Sequence, residues 1–117
     1  MNSRWEDIIS YLKDVGFDAY APGRHKGDCL SPYIVVKMGP TSPYQNFSTN
    51  LHVYELLVYI PRDQISASEE ILNNIETQMK ALEPMIMSQH TRSSPYYDEG
   101  VKAWMVSLGY RNYTKQV

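Results

Sequence analysis

The sequence predicts an α+β domain: a mainly antiparallel sheet of about four strands with two helices packed on one face, in the order α-β-β-β-α-(β)-β. Three observations predict it. Residues 51–60, LHVYELLVYI, contain no Gly, no Pro and one charge, Glu55, and their β-branched and aromatic side chains suit a pleated surface. Two other segments carry apolar residues at helical spacing, one near the N-terminus and one after Pro61. The C-terminal stretch VKAWMVSLGYRNY alternates in polarity as a long strand does. Tight connections then favour hairpins, with the helices collected on one side of the sheet.

Taken in order, residues 2–15 read as the first helix, because Trp5, Ile8, Ile9, Leu12 and Val15 recur at helical spacing. Ser3 and Glu6 match a capping box. Gly16 stands where a left-handed residue ends a helix, and Phe17 is placed to fold back on Leu12 in a Schellman arrangement. Residues 17–20 are a short strand. Residues 21–32, APGRHKGDCLSP, are a loop by their Gly and Pro content. GRHKG lacks the spacing and the closing Lys-Ser/Thr of a phosphate loop. It reads as a solvated turn, with a contact to an acidic neighbour or a phosphate as the alternative.

YIVVKM, residues 33–38, is a strand by composition. Residues 39–50, GPTSPYQNFSTN, read as a loop, long against the usual hairpin connection of roughly 2–5 residues. Tyr44 and Phe47 lie in it. They suggest an arm that orders against a partner; the alternative is that they tuck back on their own domain. Residues 51–60 form the central strand, apolar in both alternating sets, and such a strand is covered on both faces. One cover is a helix of the same chain and the second can be another subunit. The strand ends at Pro61, which cannot continue the ladder. Ser66 and Glu69 form a second capping box, with Ser68 as a competing cap. Ile71, Leu72, Ile75, Met79 and Leu82 stripe a helix over residues 67–83, which Pro84 closes. MIMS, residues 85–88, is a short strand candidate. Residues 89–100, QHTRSSPYYDEG, read as a second polar loop with Tyr96 and Tyr97. In the last strand, residues 101–113, Trp104, Val106, Leu108 and Tyr110 share one face. Ala103, Met105, Ser107 and Gly109 share the other, and Gly109 suggests a bulge or a close backbone approach. Residues 114–117 are a tail.

At 117 residues the chain reads as one domain, residues 1–117. With 43% apolar and 21% charged residues it is neither disordered nor fibrous. A net charge of −2 argues against a strongly basic nucleic-acid binder and predicts no sequence-specific nucleic-acid partner. No apolar run approaches the roughly 20 residues of a membrane span, so no membrane partner is expected. The N-terminus lacks the apolar core of a signal peptide.

Catalytic chemistry is not visible. His25, His52 and His90 share no metal-ligand spacing. A Cys29 nucleophile would need a His from elsewhere and an orienting group; Cys29 reads more simply as a small buried hydrophobe. Asp98 and Glu99 are adjacent, so in an extended segment they point opposite ways and make a poor acid/base pair. None of the GxSxG, HExxH and GxGxxG motifs occurs. The expectation is no enzyme, no cofactor and no metal.

What remains is interface. Ten Tyr exceed the needs of so small a core, and Tyr is enriched where an apolar body meets a wet edge. Tyr44, Phe47, Tyr96, Tyr97, Trp104 and Tyr110 are the candidate interface residues. A symmetric ring of like copies would cover the apolar surplus and the sheet edges together. A small ligand- or peptide-binding module is the alternative.

The segments SPYIVVKMG, HVYELLVYIPRDQ, the LEPM helix end and SPYYDEGVKAWMVSLGYRNYTK resemble the small tail-terminator and head–tail joining (neck) proteins of long-tailed bacteriophages and related contractile particles. The likeness runs through most of the chain from Ser31 onward. The last segment is the most specific: a polar SPYYDE loop feeding a VKAWMVSLGYR strand is similar to the C-terminal hairpin of such proteins in phages and prophages of Gram-positive hosts. The resemblance implies an α/β fold with a mainly antiparallel sheet and no catalytic site. It implies a hexameric ring that caps the tail tube protein and offers a docking surface to the head connector protein. It also implies a place in the virion, in the tail or neck, after assembly in the host cytoplasm.

Overall fold

A computed structural model describes residues 5–23, 29–44, 49–82 and 87–115, and for residues 40–44, 49–51, 87–91 and 112–115 the backbone alone. The elements are α1 (Trp5–Asp14), β1 (Ala19–Tyr20), β2 (Tyr33–Tyr44), β3 (Thr49–Pro61), a 3-10 turn (Arg62–Ala67), α2 (Ser68–Lys80), β4 (Met87–Arg92), β5 (Tyr96–Asp98) and β6 (Ala103–Lys115). The chain is α+β, with two helices and a mostly antiparallel sheet, and the predicted element order holds with the three-residue β5 as an addition. The sheet is larger than the four strands expected. Its order is β1-β2-β3-β6-β4, and β5 also pairs with β6. Because β3 pairs with β6 from Ala103 to Lys115, β4 and β5 share the other edge of β6. Among the described residues only the short β1–β2 contact is parallel.

The two faces of β3 differ. His52, Tyr54, Leu56, Val58 and Ile60 are each 0% exposed, whereas Val53, Glu55, Leu57 and Tyr59 are half-buried. Residues directly opposite across a ladder share a face, so the register extends the buried face to Ile34 and Val36 on β2 and to Val106, Leu108 and Tyr110 on β6. Both helices pack there, through Ile8 and Leu12 of α1 and Leu72, Ile75 and Met79 of α2. The Trp5 indole N–H donates to the Val36 carbonyl (2.7 Å), and the Tyr11 hydroxyl donates to Gln78 Oε1 (3.1 Å), tying α1 to the sheet and to α2.

The end of α1 follows the sequence. Gly16 has φ +99°, its N–H bonds the Lys13 carbonyl (3.1 Å), and the Phe17 N–H bonds the Leu12 carbonyl (2.9 Å). These two bonds define the Schellman motif, and Phe17 packs on the cluster that holds Leu12. The Ser3 cap lies outside the described residues. The start of α2 departs from expectation. Its N-cap is Ala67, with no side-chain cap bond, because the 3-10 turn runs straight into the helix and the Ser68 N–H is taken by the Ile65 carbonyl. The Ser66–Glu69 capping box is therefore not formed. Pro84 and residues 85–86 lie outside the described residues.

Both long loops are corrected. β2 continues to Tyr44 and β3 begins at Thr49, so most of residues 39–50 is strand. The prolines fit for a backbone reason. The Ile34 N–H bonds Asp18 (2.8 Å) and the Val36 carbonyl accepts from Trp5, so even-numbered residues of β2 turn their backbone away from β3. One extra residue enters β2 between Met38 and Thr41. Beyond that bulge the odd-numbered residues turn outward, and the ring of Pro43 removes no β2–β3 hydrogen bond. Gly39 sits at the same bulge, where a Cβ would come within 3.3 Å of the Val53 carbonyl oxygen.

In the second case β4 and β5 replace most of the loop over residues 89–100. Asp98 Oδ1 accepts the Gly100 N–H (2.8 Å), and Lys102 adopts φ +54°, so a tight turn joins β5 to β6. The irregularity expected at Gly109 lies on its neighbour, as a register shift of β4 between Met87 and Thr91, opposite Gly109 and Arg111. β6 also runs to Lys115, so Thr114 and Lys115 belong to the sheet rather than a tail.

The adjacent leucines of β3 test this orientation. Leu56→Ala is expected to lower the unfolding free energy by about 2–5 kcal/mol, as for a core truncation. Leu57→Ala should cost under about 1.5 kcal/mol, because its side chain is only half-buried. Urea denaturation of both variants measures the difference, and equal losses would contradict the one-sided core.

Candidate interaction surface

The face of the sheet opposite the helices is built by register. Its rows, read across β2, β3 and β6, are Tyr33–Tyr59–Met105, Val35–Leu57–Ser107 and Lys37–Glu55–Gly109, with Val53 and Arg111 beyond. Tyr96 of β5 extends the first row, opposite Met105. None of the two helices' core residues lies on this side. A small second cluster covers one end of it: Cys29, Tyr33 and Ala103 are buried, with Tyr20, Val35, Tyr59 and Val101 packed around them. The Cys29 N–H bonds the Val101 carbonyl (2.9 Å), which anchors this cover to the turn before β6. Val35 within that cluster and Leu57 and Met105 beside it are half-buried, and Lys37 is exposed.

Tyrosines organise the covered end. The rings of Tyr33 and Tyr59 stack at 4.8 Å with an 11° interplanar angle, and Tyr20 meets Tyr33 edge-on at 5.9 Å. Such pairs add about 0.5–1.5 kcal/mol beyond burial. Burial, then the neighbouring Tyr59 phenol, Cys29 and the Asp98 carboxylate, raise the Tyr33 pKa; burial and Asp98 raise that of Tyr59. Both phenols are neutral donors at physiological pH. Burial pushes the Cys29 thiol up to about 11, and its sulfur donates to the Ser31 carbonyl (3.3 Å). The thiolate needed by a nucleophile is scarce under those conditions, in keeping with Cys29 as a buried small hydrophobe.

The predicted interface residues do not form one surface. Tyr96 is 65% exposed on the open side. Tyr97, the next residue along the strand, points to the helix side, where its ring meets Trp104 edge-on at 5.3 Å. Tyr110 is 3% exposed within the helix-side core. Tyr44 closes β2, its side chain outside the described residues, as is Phe47. The residues that the sequence reading left out are Val35, Lys37, Leu57, Tyr59 and Met105. The signal for them was the second alternating set of the central strand, which fixes the open face once β2 and β6 are placed beside it.

On the helix side a cleft of about 400 Å³ opens between the end of α1 and α2, lined by Phe17, Asp18, Ser31, Ile34, Ile71 and Asn74 among others. Near the other end Arg92 bonds Glu69 (2.6 Å) and lies 3.8 Å from Glu76, tying β4 to α2. Among the described residues no group of three His, Cys, Asp or Glu side chains is placed to hold a metal ion. No described helix is long and apolar enough to cross a membrane.

Comparison with protein-family models gave no match for the chain, and comparison with curated proteins gave none either.

Two buried polar groups yield predictions. The Tyr110 hydroxyl has no hydrogen-bond partner among the described residues. Tyr110→Phe should therefore be neutral or stabilising by up to about 1 kcal/mol, because it removes a desolvated group without leaving another unpaired; calorimetry would reveal a loss if a partner exists. Burial lowers the His52 pKa below its ordinary value. Below about pH 6.5 the unfolded chain binds a proton that the folded chain resists. The His52 contribution is thus fully present above that pH and is lost as pH falls. Melting temperatures between pH 7.5 and 5 should drop less steeply in His52→Gln than in the parent.

Proposed function

We propose that this protein is a structural assembly subunit of a long-tailed bacteriophage or related contractile particle: a tail terminator, or closely related neck protein, that caps the tail tube as a hexameric ring and presents a docking surface to the head connector. The observation that carries the reading is the one-sided cover of the sheet. Both helices lie on one face, and Leu57 and Met105 are only half-buried on the other, beside the exposed Tyr96. Such apolar surface calls for a macromolecular partner. The resemblance of the VKAWMVSLGYR strand and its preceding hairpin to tail-terminator proteins names the kind of partner.

In this reading the protein does no chemistry and needs no cofactor. It acts by occupying surface. Ring closure between copies uses up surface that tube subunits would otherwise extend. The β2–β3 hairpin and β6 continue side by side past His52, to Tyr44, Thr49 and Lys115, and supply an arm that reaches the tube or the next copy. The protein would work in the virion after assembly in the host cytoplasm.

The cleft of about 400 Å³ beside α2 favours a second reading, a small ligand- or peptide-binding module, since its size is that of ordinary ligand pockets. The two readings separate by experiment. The double variant Leu57→Ser/Tyr96→Ala should fold normally by circular dichroism yet give tails of abnormal length in electron micrographs. Tails of normal length would count against the tail-terminator assignment of this face.

A further inference from the structure

The β2 edge of the sheet is blunted against adding a strand, and the ladder beyond β6 is irregular. On the β2 side, β1 occupies Ile34 and Val35, the Trp5 indole occupies the Val36 carbonyl, and the bulge turns Pro43, which has no N–H, outward. On the β6 side the ladder is irregular at the β4 register shift and passes from β4 to β5 through residues 93–95, where Ser93 still bonds Ser107. Bulges and outward prolines are the devices that keep edges from pairing. Among the described residues the open face has no such protection beyond the cover around Cys29, so contacts between copies are directed to the face.

That face is self-complementary in charge. Lys37 on β2 lies directly opposite Glu55 on β3. Glu55 accepts the Ser107 hydroxyl (2.7 Å), while Lys37 is exposed. Val35 and Leu57 form the neighbouring pair in the same register. An axis running along the strands between β2 and β3 exchanges the members of each pair. It sets Lys37 of one copy over Glu55 of the other, and Val35 over Leu57, twice over.

We propose that two copies of this chain pack open face to open face about that two-fold axis, forming a helix–sheet–sheet–helix sandwich. Face-to-face sheets pack at ~10 Å with strands within about 30° of each other, so the exchanged pairs meet. The described rows beyond the covered end run from Leu57 to Val53 on β3 with their neighbours on β2 and β6, about five residues along three strands, roughly 240 Å² at ~3.3 Å per residue and ~4.8 Å per strand. That is about a third of the ~800 Å² per partner of a standard interface, so the dimer is weak and concentration-dependent. The proposal stands independently of the tail reading. A two-fold contact closes on itself and cannot propagate round a ring. In a tail protein it would hold subunits in reserve.

Sedimentation equilibrium from about 5 to 500 μM tests it. The parent should shift from monomer to dimer across that range. Lys37→Glu and Glu55→Lys each place like charges over one another twice, and each should weaken dimerisation by more than tenfold. An equimolar mixture of the two variants restores opposite charges at both contacts and should recover the dimer as a heterodimer. Thermal melts establish that both variants fold. A parent that stays monomeric at 500 μM would overturn the proposal, as would charge variants that dimerise like the parent, or a mixture that stays monomeric. None of these results bears on tail length in the Leu57→Ser/Tyr96→Ala variant, so the two proposals fail separately.

Discussion

The constraint behind this structure is that the whole helical layer sits on one side of β3. Leu56 and Leu57 are neighbours in sequence with the same side chain, yet one is fully buried and the other half-buried. Side chains alternate along a strand, so a single layer of helices can hide only every second residue. Ile8 and Leu12 from α1, with Leu72, Ile75 and Met79 from α2, fill that side. What β3, β2 and β6 carry on the other side follows from register alone. The small cluster of Cys29, Tyr33 and Ala103 hides one end of the open face and leaves the rest.

Edges and face are treated in opposite ways. Pro43, the β2 bulge, the Trp5 indole and the β4 irregularity all act on backbone groups that another strand could have used. Each makes extension of the sheet harder. Leu57, Met105 and Tyr96 have no such protection among the described residues. A subunit that must associate without aggregating needs that combination, because face contacts are fixed by side-chain complementarity and edge contacts by little more than backbone hydrogen bonds. The proposed tail-terminator reading and the proposed two-fold contact both draw on this asymmetry. They differ in what meets the face.

Tyrosine proved to have several uses. Tyr33 and Tyr59 stack into the second cluster, Tyr97 supports Trp104, and Tyr54 and Tyr110 lie in the main core. Only Tyr96 among the described candidates is largely exposed on the open side. A high tyrosine count was therefore a weaker sign of interface than it seemed in the sequence. The amphipathic ring serves equally well where a strand is half-covered by its own chain.

The sequence by itself determined the elements whose signals are local. The Leu12–Gly16–Phe17 helix end, the stripe of α2, the alternation of β6 and the two-faced character of the central strand were legible because each depends on residues within a turn or two of one another. It misjudged residues 39–50 and 89–100, where Pro, Gly and Ser outweighed the pattern. Whether Pro43 breaks a ladder depends on which way its nitrogen faces, and that is set by a bulge and by the partner strand rather than by the residue. The tertiary structure alone decided that the Ser66 cap is replaced by a 3-10 turn, that Tyr96 and Tyr97 part to opposite faces, and that Tyr110 belongs to the core. It also decided which half of the central strand the helices cover. Periodicity marks both halves as apolar, and only the packing of distant segments chooses between them.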